Sequence, residues 1–426
     1  MSEQGYPAPR AAWGMVALLT VAYLFSYIDR TVLGLLVQPI KADFALSDAQ
    51  IGLLLGPAFA VFYATMGLPL GWLVDRKSRT RLIAAGVVIW SLATAASGLA
   101  RSFTQLFLVR MTVGVGEAVL SPAAFSIIGD SFPPERRARP IAAYSMAITL
   151  GSGLASLIGG SVLAWASGAQ RIVLPLVGAV SPWQATFFAV GLPGLLVALA
   201  FLAVREPPRQ AEPAVGASDN SLRSAFAHIG GHWRDYLLIV AIVGAMVITA
   251  YSQGFLPAAF ERRWGWKPEF FALLNGLSAL ILGPAIYLVA GAQCQRRLLA
   301  GDSLAPHRIM TFGLALILPS AGLAMLMPSP WLAFAMLCLT AVGIGAISAV
   351  GVTALLQITP GAVRGQIVAL YYMAISLAGL LLGPTSVGIL STRVFGEDQL
   401  HLAVALVPIA YGTIPLAFAL AGLRRV

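Results

Sequence analysis

Twelve apolar stretches, parted by short polar connections, constrain this chain more than any other feature. They fall near residues 13–37, 49–74, 82–100, 105–129, 141–164, 184–204, 236–260, 269–292, 308–326, 330–356, 364–390 and 402–423. Each is long enough to cross the roughly 30 Å hydrocarbon layer of a bilayer as a helix. Within that layer every backbone N–H and C=O needs a protein partner, which a helix supplies along its own length. Isolated prolines such as Pro57, Pro122, Pro284 and Pro384 are tolerated where neighbouring helices satisfy the freed carbonyls. The predicted fold class is an all-α membrane protein with twelve transmembrane helices. Composition agrees: 10% of residues are charged and 58% hydrophobic, where a soluble domain carries about 25% charged residues.

The net charge of +10 could suggest nucleic acid, but the placement of the basic residues excludes that partner. They sit in the connections, as orientation signals do. One side carries Arg10; Arg76, Lys77, Arg79 and Arg81; Arg136, Arg137 and Arg139; Arg205, Arg209, Arg223 and Arg234; Arg296, Arg297 and Arg308; Arg364; and Arg424 and Arg425. The other carries only Lys41, Arg101, Arg171, Arg262, Arg263, Lys267 and Arg393. The bias predicts a multi-pass protein with both termini in the cytoplasm. Residues 1–12 are polar and the first apolar stretch is of full span length, so no cleavable signal peptide is read. Cys294 and Cys338 imply no disulfide framework.

The chain also repeats. Tyr144-Ser-Met-Ala-Ile-Thr-Leu150 answers Tyr371-Tyr-Met-Ala-Ile-Ser-Leu377 at an offset that also carries Arg137 onto Arg364 and Pro133 onto Pro360. Thr112-Val-Gly-Val-Gly116 echoes Ala341-Val-Gly-Ile-Gly345 more loosely. Duplication of this kind predicts two pseudo-symmetric six-helix bundles, 1–204 and 236–426, with a site between the halves. The intervening segment, 205–235, is a cytoplasmic linker by composition. Its second part spaces Leu222, Phe226, Ile229 and Trp233 as one face of a short amphipathic helix, capped by Asn220 or Ser221, that either lies at the cytoplasmic membrane surface or acts as a strut between the halves.

Four charges lie well inside predicted spans, away from their ends. Arg110, Gly114 and Glu117 recur at i, i+4 and i+7, so they share one helical face. Asp29 and Arg30 lie deep in the first span and point about 100° apart, which implies different partners. Asp29 can face Arg110 while Arg30 faces Glu117, or the reverse. A charge at the bilayer centre costs roughly 2.5–3.5 kcal/mol even on the lenient insertion scale, so this face must turn towards protein or a watery cavity. A permanent structural network is one reading. The other is a site in which ionised Glu117 and Asp29 neutralise the two arginines. Protonating one acid then frees Arg30 or Arg110 for an anion, with Glu117 the first choice of proton carrier and Asp29 the second. The C-terminal spans hold no comparable charge and offer Tyr251, Ser252, Gln253, Asn275, Thr353, Tyr371 and Tyr372 among apolar neighbours. Gln253, Asn275 and Tyr371, with Tyr27 of the first span, are the remaining candidate substrate contacts. A charged wall facing an apolar one suits an amphipathic ligand with an anionic head.

Gly71-Trp-Leu-Val-Asp75-Arg76-Lys77-Ser78-Arg79 resembles the cytoplasmic signature of the major facilitator superfamily, G-x-L-x-D-R-x-G-R, with Ser78 in place of the usual glycine. Gly-Asp-Ser-Phe-Pro-Pro-Glu-Arg-Arg-Ala-Arg at 129–139 resembles its companion after the fourth span. The resemblance implies a cytoplasmic gate made by Gly71, Asp75, Arg76, Arg79, Asp130 and Arg139. Tyr27-Ile-Asp29-Arg30, Arg110-Met-Thr-Val-Gly114-Val-Gly116-Glu117-Ala118 and Gly151-Ser-Gly153-Leu154 resemble the superfamily's spinster branch. That likeness implies sphingolipid- or lysophospholipid-type substrates, proton coupling and polar-site roles for Asp29, Arg30, Arg110 and Glu117. Two features point elsewhere. The antiporter pattern G-x-x-x-G-P-x-x-G-G is broken at Ala155 and Ser156. The superfamily's anion:cation symporters also carry a Y-x-D-R first span and a Gly-x-x-Glu-Ala fourth span.

No catalytic constellation competes. The four histidines lie in loops or at span ends, and neither a metal-ligand spacing nor a nucleotide-binding loop is present. The expected protein is a monomeric transporter of a bacterial inner membrane, without cofactor or metal. It moves an amphipathic anionic lipid with protons by alternating access. Proton symport of a small organic anion and a transporter-like lipid sensor are the alternatives.

Overall fold

The structure is a computed structural model. It describes residues 6–133, 136–168, 172–174, 177–210, 220–360 and 363–423. Arg171, Arg424, Arg425 and linker residues 211–219 lie outside the described residues, as do the side chains of Asn220, Ser221 and Leu222.

Among the described residues, twelve helices are long and apolar enough to cross a membrane. In order they are Pro9–Leu35, Asp48–Gly67, Arg79–Ser97, Phe103–Ser131, Leu150–Ser167 and Pro182–Ala203. Trp233–Trp264, Pro268–Leu299, Ala305–Ala324, Pro330–Gln357, Gln366–Phe395 and Glu397–Gly422 follow. Each overlaps one apolar stretch of the sequence. Local chemistry sets several boundaries. Ser102 caps the fourth span by accepting from Gln105 N at 3.3 Å. Ser47 and Gln50 form a capping box ahead of the second. Gly265, at φ 70°, closes the seventh span in the left-handed conformation that glycine adopts without strain. The fourth and seventh spans are interrupted. Ala118 and Val119 part Phe103–Glu117 from Leu120–Ser131, and a 3₁₀ turn at Gln253–Phe255 precedes Pro257.

A detail not read from the sequence is a small antiparallel hairpin between the fifth and sixth spans. It pairs Ile172 with Val180 and Leu174 with Gly178.

Contacts divide the chain into two compact units. One is Met1–Glu212 with Trp266–Leu280, and the other is Pro213–Gly265 with Ile281–Val426. The first half of the eighth span thus clusters with the first unit. Within the first unit the first span packs on the fifth and the third on the fourth; within the second, the seventh packs on the eleventh and the ninth on the tenth.

Two reciprocal glycine crossings correct the repeat register. A methyl group added to Gly86 would stand 2.6 Å from the Gly116 carbonyl oxygen, and one on Gly116 would stand 2.8 Å from that of Gly86. Gly313 and Gly343 are related in the same reciprocal way, at 2.9 and 2.6 Å. Gly116 therefore answers Gly343, at the offset that joins Tyr144 to Tyr371, and not Gly345 as the loose sequence echo suggests. Two backbones can approach this closely only where neither has a side chain at the contact.

The linker helix is present over Asn220–Gly231, and the next helix begins at Trp233. Ala225 is buried, while Phe226 and Trp233 are 59% and 54% exposed. His228 meets the Ile358 carbonyl at 3.0 Å, and Ile229 packs against the second unit's core. Ala225 thus sits in the second unit's core, while Phe226 and Trp233 face outward, as an interfacial helix requires.

Candidate functional site

The first unit gathers the buried charges. Arg30 donates from Nη2 at 2.6 Å and from Nε at 2.9 Å to Glu117 Oε2, and the Ser26 hydroxyl donates to the same oxygen at 2.6 Å. The Glu117 side chain is 1% exposed and that of Arg30 is 17% exposed, so the pair is withdrawn from lipid. The Arg30 guanidinium also lies 4.5 Å from the Phe59 ring centre, 5.1 Å from Tyr63 and 5.7 Å from Tyr27, an aromatic surround that favours a cation.

Arg110 takes a different partner. Its Nη1 donates to the backbone carbonyl of Asp29 at 3.4 Å, while the Asp29 carboxylate accepts from the Thr94 hydroxyl at 2.9 Å. Asp29, Arg110 and Glu117 are each about 2% exposed. Of the two pairings open from the sequence, the structure has Arg30 with Glu117. Gly114, between Arg110 and Glu117 on the helix, abuts the Phe59 carbonyl so closely that an added methyl would stand 2.5 Å away. The fourth span can therefore lie flush against the second and carry its two charges inward. Within this charge cluster, the buried atoms Glu117 Oε1 and Arg110 Nε make no hydrogen bond with protein. Buried polar atoms are nearly always paired, so an acceptor and a donor of this kind are chemically available.

The other candidate contacts are distributed. Tyr27 borders Arg30 and stands against Gly151. Asn275 donates to Ser156 Oγ at 3.2 Å and clusters with the first unit. Gln253 and Tyr371 belong to the second unit; Tyr371 is buried with its ring 5.3 Å from that of Tyr372, and Gln253 lies on the 3₁₀ turn of the seventh span. Among the described residues, no group of His, Cys, Asp and Glu is arranged to hold a metal ion.

The loop after the second span forms a polar clasp within the first unit. Arg79 is fully buried and pairs with Asp130; its Nε donates to Glu206 Oε1 at 2.7 Å and its Nη2 to the Pro207 carbonyl at 2.9 Å. Ser78 donates to Glu206 Oε2 at 2.5 Å and caps the third span. Burial pushes the Glu206 carboxyl up, but hydrogen bonds from Ser78 and Arg79 outweigh it and hold the group below its ordinary range. Arg209 completes the clasp at the C-terminal end of Pro57–Arg76, donating to the carbonyls of Asp75, of Val74 at 2.7 Å and of the capping residue Lys77 at 2.8 Å.

The sequence profile described as Major Facilitator Superfamily matches residues 19–384. The chain belongs to the major facilitator superfamily. It is 31% identical over 294 residues to an MFS-type efflux pump of Mycolicibacterium smegmatis, covering 68% of this chain and 63% of that protein. It is 32% identical over 294 residues to spinster homolog 1 of Bos taurus, covering 68% and 50%. It is also 32% identical over 182 residues to a probable L-galactonate transporter of Escherichia coli, covering 43% and 37%. These matches span from about two thirds to about one third of the relatives' lengths. Similarity to the crystal structure of a bacterial homologue of the human lysosomal transporter spinster is more extensive. The identity is 27%, the TM-score is 0.84, and 98% of this chain and 99% of that one are covered.

The residues expected from the superfamily signature to form a gate fall into two groups. Arg79 and Asp130 are brought together. Asp75, Arg76 and Arg139 are exposed, and Arg76 stacks over Trp72 with its guanidinium carbon 4.1 Å from the ring centre. An added methyl on Gly71 meets nothing within 4 Å, so no close helix approach depends on that glycine. Sequence reasoning missed Glu206, Arg209, Thr94 and Ser26. A Glu directly before Pro207-Pro208 in a basic linker was the one available signal for Glu206; Thr94 and Ser26 carry none, because hydroxyls are common in transmembrane helices.

Proposed function

We propose that this superfamily member is a proton-coupled secondary transporter that moves an amphipathic anionic lipid, of sphingolipid or lysophospholipid type, by alternating access. The observation that carries this reading is the membrane-buried Arg30–Glu117 pair, with Glu117 Oε1 and Arg110 Nε left free of protein hydrogen bonds. A proton taken up at Oε1 weakens the pair and releases Arg30 to hold an anionic head group. An arriving anion that displaces Glu117 from Arg30 likewise raises the acid's affinity for a proton. Either order couples the two occupancies, and coupling of this kind is reciprocal. Asp29 is the second proton carrier in this scheme. Tyr27, Asn275, Gln253 and Tyr371 are substrate contacts, Arg110 adds a second anion donor, and the Arg79–Asp130–Glu206 clasp belongs to the cytoplasmic gate. Likeness to spinster proteins supports the lipid class, and the arginine-rich connections support cytoplasmic termini in a bacterial inner membrane.

A second reading has its own support. Likeness to the probable galactonate transporter favours proton symport of a small organic anion through the same Arg30 and Glu117.

The test uses purified protein in liposomes, with a labelled lysophospholipid or galactonate and with or without an imposed pH gradient. Gradient-dependent lipid movement that is lost in Glu117→Gln supports the proposal. Movement of galactonate without lipid movement selects the second reading. Undiminished, still gradient-dependent transport in Glu117→Gln removes this residue from proton coupling.

A further inference from the structure

The second unit contains a groove of about 510 Å³ that the transport site does not use. Its walls are apolar: Ala285 and Val289 of the eighth span, Phe312 of the ninth, and Val342 and Ala346 of the tenth. Its mouth is polar and basic, formed by Gln293, Arg297 and Arg308. Val289 is 56% and Phe312 64% exposed, so the groove opens on a surface that a bilayer would cover with acyl chains.

Both arginines lie at one end of the groove. Arg297 is in the last turn of Pro268–Leu299 and Arg308 in the first turn of Ala305–Ala324, so they stand at the same membrane boundary. Ala285 is twelve residues before Arg297, about 18 Å along the helix. The groove thus runs from an interfacial cationic mouth well into the hydrocarbon layer. Arg297 forms no ion pair among the described residues. Arg308 pairs with Asp302 at 2.8 Å but is half exposed, leaving its remaining donors accessible.

We propose that this groove seats one anionic phospholipid of the adjoining leaflet. Its phosphate lies between Arg297 and Arg308, and one acyl chain runs along Val289 and Ala285 over Ala346. Guanidinium forks match phosphate oxygens in geometry and charge, and basic pockets between transmembrane helices suit acidic head groups. The apolar walls select a lipid over a soluble phosphate, since only an acyl chain covers exposed Val289 and Phe312. The paired bases select an acidic lipid over a zwitterionic one.

The test is native mass spectrometry of the full-length protein released from mild detergent, titrated with phosphatidylglycerol or chain-matched phosphatidylcholine. A photoreactive phosphatidylglycerol locates the adduct. The first phosphatidylglycerol adduct should form about tenfold more tightly than the phosphatidylcholine one, and crosslinks should map to residues 285–312. Arg297→Gln with Arg308→Gln should reduce phosphatidylglycerol to the level of phosphatidylcholine. Val289→Trp, at an exposed position that folding tolerates, should weaken both lipids together by filling the groove. Equal binding of the two lipids, crosslinks elsewhere, or binding unchanged in the arginine double variant and in Val289→Trp would overturn the proposal. So would competition by glycerol 3-phosphate as effective as by the lipid, which would make the site one for free phosphate.

Discussion

Arg30 and Glu117 stand 87 residues apart in the chain, yet two nitrogens of the arginine converge on a single carboxylate oxygen, Oε2, at 2.6 and 2.9 Å. Ser26 donates to that oxygen as well, so three donors crowd one atom while Oε1 has no protein partner. The lopsided geometry makes the pair both a structural joint and a group that can accept a proton.

Removing one member should be more harmful than removing both. A buried charge left without its partner costs about 3–5 kcal/mol, whereas replacing the whole pair is often neutral. Arg30→Gln alone should therefore lower the thermal unfolding temperature in detergent by more than Arg30→Gln combined with Glu117→Gln. Single and double variants of equal stability would show that the pair is not structurally coupled.

Asp29 depends on Thr94. Thr94→Val keeps the shape and removes the hydroxyl donor, leaving a buried carboxylate with one hydrogen bond fewer, at a cost of about 1.5–3 kcal/mol. Asp29→Asn made in the same background should cancel part of that loss. The check is a double-mutant cycle on thermal stability, in which strict additivity of Thr94→Val and Asp29→Asn would disprove the contact.

The glycine crossings should resist even small side chains. Gly116→Ala and Gly343→Ala each place a methyl within 3 Å of a facing backbone oxygen, and overpacking of this kind costs about 1–3 kcal/mol. Gly129→Ala, with open space around it, is the control. Monodisperse yield on size-exclusion chromatography should fall for the first two and hold for the third.

Glu206 should make the clasp sensitive to acid. Its carboxyl titrates lower in the folded protein than its ordinary value of 4.5, because hydrogen bonds from Ser78 and Arg79 outweigh burial. The stabilisation it contributes is full above that ordinary value and disappears as pH falls through the lower folded one. Limited proteolysis after residue 205 should accelerate as pH is lowered through this window, and Glu206→Gln should cleave at a rate nearly independent of pH there. An identical pH profile in both proteins would show that another group controls the segment.

Much of the architecture was legible because it rests on short-range rules. Apolar length requires a spanning helix, the i, i+4, i+7 spacing puts Arg110, Gly114 and Glu117 on one face, and all three are buried. The repeat containing Tyr144 and Tyr371 also reads directly, and both tyrosines are buried. The sequence echo between the fourth and tenth spans lies two residues off the structural register. Glycine-rich helical sequence aligns almost equally well in several registers, and only the reciprocal contacts of Gly86 with Gly116 and of Gly313 with Gly343 distinguish them.

Apolar length, charge placement and loop motifs in the sequence are enough to establish a twelve-span helical protein, the charges its membrane must enclose and the superfamily its loops match. The pairing of those charges comes from helix packing. Asp29 and Arg30 are neighbours pointing in different directions, so their partners depend on how the first span is rotated against the third and fourth. No local propensity encodes that angle. Glu206 likewise meets Arg79 across 127 residues, and Asn275 meets Ser156 across 119. A buried ion or amide takes its partner from whichever helix the packing brings near, and packing is set by the fit of the apolar surfaces around it.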